Sequence, residues 1–102
     1  MEFIIKQPNE TPVSLARRLG YQPMGVSASN EYNLVRPLTR GNYPRFHIYL
    51  KKDQANGEFH FSLHLDQKQP SYQGSAAHSG EYEGDLVGRE AERIKRLVEE
   101  SK

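Results

Sequence analysis

The chain has 102 residues, 35 % of them hydrophobic and 26 % charged, with a mean hydropathy of −0.84 and no cysteine. That length suits one domain, 1–102, with a modest core, and the missing thiols exclude a disulfide-built secreted domain and any cysteine nucleophile or ligand. The net charge of +1 is unevenly spread: residues 1–52 hold 8 basic and 3 acidic side chains, and residues 53–102 hold 6 and 10.

Residues 2–6, EFIIK, form a short β-branched run that predicts a strand. Around them there is neither the basic n-region nor the apolar h-region of a signal peptide, and no stretch approaches the ~20 apolar residues of a membrane span. A soluble, cytoplasmic protein with no membrane partner is expected. TPVSLARRLG then carries helix punctuation: Thr11 as cap, Pro12 at the first position, Gly20 at the left-handed end. Leu15, Ala16 and Leu19 give it one apolar stripe, so it must lean on a sheet.

YQPMGVSASN reads as a connector and EYNLVRPL as a strand closed by Pro37. After the turn TRGNYP comes a hairpin. RFHIYLKK alternates Phe46, Ile48 and Leu50 against Arg45, His47, Tyr49 and Lys51, and FHFSLHLD runs back beyond Asn56-Gly57. A two-residue loop pairs His47 with Asp66, and a four-residue loop pairs His47 with His64. Both registers put His47 beside the His64/Asp66 end. Residues 67–84 show no period and are expected as a long loop, a candidate lid over the sheet. Val87, Ala91, Ile94 and Val98 follow helical spacing and predict a helix over about 85–100. The expected fold is α+β, ordered β-α-β-β-β-α, with two helices packed on one face of a mainly antiparallel sheet.

The opposite sheet face is where function is expected. Along a strand, residues i and i+4 stand ~13 Å apart and residues i and i+2 stand ~6.6 Å apart. His60 therefore cannot share an ion with His64, whereas His64 and Asp66 can, with His47 as their cross-strand neighbour. His78, Glu81 or Glu83 would complete the set from the loop. Three or four N/O ligands with an open position suit Zn²⁺, Mn²⁺ or Fe²⁺ and hydrolysis by a metal-bound water.

The same face also reads as a stacking platform for single-stranded nucleic acid or another anionic ligand, with no cofactor. Arg45, His47, Tyr49 and Lys51 lie on one strand, His60 and His64 on the next, and Tyr72 on the loop. Tyr43 would flank it, with Arg40, Lys52 and Lys68 available to phosphates. A small binding module of this kind is the leading expectation, and a metal-dependent hydrolase is the alternative. The acidic stretch 81–85 could instead fold back on the basic residues 36–52.

HFSL at 60–63 resembles the H-x-[ST]-φ element of the two-histidine phosphoesterases, which implies metal-free acid–base chemistry. Those enzymes have two such elements in a larger, two-lobed chain, and here the nearest partner, HIYL at 47–50, has Tyr49 in place of the hydroxyamino acid. The order helix-strand-strand-strand-helix from residue 11 is similar to that of double-stranded-RNA-binding domains. Their basic cluster at the last helix is replaced by the acidic EYEGDLVGREAE, which repels duplex phosphate.

Overall fold

A computed structural model describes residues 1–67 and 80–100, the side chains of 81–83 excepted. Its strands are β1 (Glu2–Lys6), β2 (Gln22–Val26), β3 (Tyr32–Pro37), β4 (Arg45–Asp53) and β5 (Glu58–Asp66), and its helices are α1 (Pro12–Leu19) and α2 (Gly80–Glu100). The strands form one sheet in the order β1-β5-β4-β3-β2, and every neighbouring pair is antiparallel. The fold is α+β, as expected, with one strand more. No helix among the described residues is long and apolar enough to cross a membrane.

Alternation along the central hairpin builds the core. Phe46, Ile48 and Leu50 of β4 and Phe59, Phe61, Leu63 and Leu65 of β5 are buried on one sheet face with Leu34 of β3. Leu15, Ala16 and Leu19 of α1 and Val87, Ala91, Ile94 and Val98 of α2 cover them in a single cluster. Full burial of each large aliphatic side chain stabilises the fold by about 1.5–3 kcal/mol. α1 is capped as its sequence implies. Thr11 Oγ1 accepts from Ser14 N at 3.1 Å, and Gly20 closes the helix with φ 86°.

Two features depart from the expected fold, and the hairpin takes one of the two expected registers. β2 lies within the predicted connector, and all five of its residues are exposed. An edge strand with no buried face shows no apolar alternation, and Pro23, Gly25 and a register shift between them mask its β character. The helix begins at Gly80 rather than near residue 85, so 80–84 of the predicted loop are helical, and Glu81 and Glu83 belong to α2. The polar EYEG turn has no periodicity to reveal it. Of the two registers, the structure takes the one with the four-residue loop, pairing His47 with His64, Tyr49 with Ser62 and Asp53 with Glu58.

A buried polar knot fixes α2 on the sheet. Glu90 is 4 % exposed; it accepts from Tyr21 Oη at 2.7 Å and from Arg93 Nε and Nη2 at 2.8 Å each, while Arg36 Nη1 lies at 3.4 Å. Arg93 also donates to the Leu19 carbonyl at 2.7 Å, joining the end of α1 to α2. Burial, and then the Glu90 charge, push the Tyr21 hydroxyl well above its ordinary value.

Candidate metal centre on the open sheet face

The face turned away from the helices presents Asn33 and Val35 of β3, Arg45, His47, Tyr49 and Lys51 of β4, and His60, Ser62, His64 and Asp66 of β5. Period-two geometry keeps these together: each alternates with a core residue, so the packing that buries Phe46, Ile48, Leu63 and Leu65 aims their neighbours outward.

At one end of this face a continuous polar chain forms. Asp66 Oδ2 accepts from Arg45 Nε at 3.2 Å and stands 3.1 Å from His47 Nδ1. The other nitrogen of that ring, Nε2, lies 3.1 Å from Asn33 Oδ1. His64 meets the His47 ring edge-on with centroids 5.1 Å apart, and Tyr49 packs against both, at 4.6 Å from His47 and 5.3 Å from His64. Val35, opposite His47 in register, is buried outside the core cluster, and the His47 side chain is only 13 % exposed.

Ligand atoms of His47, His64 and Asp66 all lie within 4.8 Å of one another. The 3.1 Å between His47 Nδ1 and Asp66 Oδ2 is close to the edge of a tetrahedron with metal–ligand bonds of about 2.0 Å, roughly 3.3 Å. Partial burial, reinforced by the neighbouring His47, lowers the His64 pKa below its ordinary 6.5, with Asp66 opposing. His64 is thereby kept neutral at pH 7, the form that ligates metals.

The orientation of His47 constrains the chemistry further. In the tautomer whose Nε2–H donates to Asn33 Oδ1, a neutral ring turns the bare lone pair of Nδ1 toward a carboxylate oxygen. In that tautomer a metal ion seated between the two acceptors, 3.1 Å apart, satisfies both, whereas the tautomer with Nδ1–H makes an ordinary hydrogen bond to Asp66. An amide oxygen holding the distal N–H is also the usual outer support of a metal-bound histidine.

The remaining candidates fall elsewhere. His60 pairs with Lys51 across the ladder, is largely exposed, and lies 3.9 Å from Glu58. Lys51, His60, Tyr49 and Ser62 line an open groove of about 700 Å³ together with Glu2 and Glu31, so its wall carries both signs of charge. Lys52 is not on this face: its Nζ donates to the carbonyls of Pro8 and Glu10, above the Phe59 ring on the helix side. Arg45 is engaged by Asp66 and stacks on Tyr43, its guanidinium carbon 4.5 Å from the ring centroid. Tyr72, His78 and Lys68 lie outside the described residues. Sequence reasoning missed Asn33. Its signal was available: an amide is disfavoured in strand interiors, and Asn33 shares the open-face parity of its strand. Comparison of the chain with protein-family profiles, curated proteins and solved structures finds no match.

Proposed function

We propose that the protein binds one divalent transition ion, Zn²⁺ above all, through His47 Nδ1, a nitrogen of His64 and a carboxylate oxygen of Asp66, and that the centre serves hydrolysis. The observation that carries this reading is the convergence of one ligand atom each from His47, His64 and Asp66 within 4.8 Å, with His47 Nδ1 3.1 Å from Asp66 Oδ2 and Nε2 beside Asn33 Oδ1. Three N/O donors on an open sheet face leave a fourth position for water, the composition of a catalytic rather than a structural zinc site. A water held there is acidified toward neutrality and can attack an ester.

The charge arrangement favours this over a nucleic-acid platform. Arg45, a basic neighbour on the expected stacking platform, is paired with Asp66, Lys52, expected to meet phosphates, points to the other face, and the groove by Tyr49 includes Glu2 and Glu31. Backbone-phosphate binding draws on several unpaired cations along one path.

Protein produced without a polyhistidine tag and analysed for metal should carry close to one equivalent of zinc after incubation and desalting. Its melting temperature should fall by several degrees on addition of a chelator, since an ion at a hundred times its Kd stabilises the folded state by about 2.7 kcal/mol. No retained metal and no chelator-dependent shift would remove the reading.

A further inference from the structure

The proposed ion and Arg45 address the same oxygen. Arg45 Nε donates to Asp66 Oδ2, the atom that also faces His47 Nδ1. That bond uses Nε alone, and among the described residues the two Nη groups have no partner. Tyr43 supports the guanidinium plane from one side, 4.5 Å away, so the group is held at the rim of the cluster.

An ion on Asp66 sets a divalent charge beside a guanidinium in a partly desolvated corner. The Asp66 carboxylate between them offsets only one of the three positive charges brought together, which favours the arrival of a further anion. A fork of Nη donors such as this is the side-chain geometry that takes two oxygens of an oxyanion side by side.

We propose that Arg45 selects the substrate of this centre, and that the substrate is a phosphate ester. On this view Arg45 releases Asp66 when the ion enters and turns its Nη pair to the phosphoryl group, one oxygen of which joins the water on the ion as a fifth ligand. A phosphoryl group has enough oxygens to reach both the ion and the two Nη donors. A phosphate monoester gives each of these three partners an oxygen of its own, whereas a carboxylate must share one oxygen between two of them. The inference rests on the metal reading above, and it adds a reciprocal coupling: the anion tightens the metal, and the metal tightens the anion.

The test measures Zn²⁺ affinity by competition with a chromophoric chelator, using tag-free protein with and without inorganic phosphate, and with acetate in place of phosphate. In the wild type, phosphate should tighten Zn²⁺ by about tenfold, within the usual range of such couplings, and acetate should do much less. Arg45→Ala should bind Zn²⁺ alone more tightly than the wild type, because the rival for Asp66 is gone, while the effect of phosphate disappears. The near-isosteric Arg45→Gln should behave the same way and guards against loss of packing. Wild-type zinc binding indifferent to phosphate, or a phosphate effect that survives both substitutions, overturns the role of Arg45 and leaves the metal centre standing. Absence of zinc binding in the wild type overturns both.

Discussion

His47 and His64 face each other across β4 and β5 at the same depth, yet their surroundings separate their roles. His47 has both nitrogens engaged, by Asp66 and by Asn33. For His64, burial is the largest influence on its titration, followed by repulsion from His47. Its folded pKa therefore lies below 6.5. The sign for stability follows: between the two pKa values the unfolded chain binds more protons than the folded one, so stability rises with pH through that window. Stability from this group is complete above pH 6.5, the ordinary histidine value, and is lost as pH falls below it. In metal-free protein the His64 ring signals should titrate in NMR with a midpoint under 6.5, and His64→Gln should flatten this part of the stability profile. A midpoint at or above the ordinary value would contradict the burial assigned to the ring. His47, His64 and Asp66 were legible as a cluster from alternation and strand spacing alone, because both registers compatible with the Asn56-Gly57 turn bring the same three residues to one end. Asn33 and the grip of Arg45 on Asp66 were not legible, since they depend on which strand lies beside β4 and on rotamers that no spacing fixes.

Elements whose identity comes from packing were read well, and elements whose identity comes from position were not. β4, β5 and α1 carry their own signals in alternation and caps. β2 carries none, being exposed along its whole length at the sheet edge, and the first turn of α2, GEYE, has no recurring apolar spacing to mark it. Glu90 illustrates the same limit. On a helix it reads as a solvated acid, but the fold surrounds it with Tyr21, Arg93 and Arg36. The β4–β5 hairpin offers a sharper test of the architecture. Gly57 sits at φ 72°, and a Cβ there would stand 2.6 Å from Pro8 Cβ and 2.7 Å from Pro8 Cα. The Gly57 carbonyl accepts from Gln7 N at 2.9 Å, so the turn and the β1–α1 link are pressed together. Gly57→Ala combines a left-handed backbone with a clash against backbone atoms and should cost about 2–4 kcal/mol in chemical denaturation. A loss under about 0.5 kcal/mol, the size of an ordinary surface substitution, would show that the hairpin does not pack on Pro8 in this way.

At the scale of the whole molecule, one sheet divides two kinds of surface. The helix side is apolar and closed by α1 and α2, and the open side gathers histidine, carboxylate, amide and guanidinium at one end. Antiparallel sheets commonly leave one face free in this way, and a rigid face positions side chains better than loops do. The packed side of the sheet therefore holds His47, His64 and Asp66 in place, because the core residues of β4 and β5 alternate with them. Titration of Zn²⁺ into tag-free, chelator-treated protein by isothermal calorimetry tests this account most directly. One ion should bind per chain, and Asp66→Asn and His47→Ala should each weaken binding at least a hundredfold while Asn33→Ala weakens it about tenfold. Zinc that fails to bind saturably, or that binds equally well to Asp66→Asn and His47→Ala, would contradict a metal centre on this face.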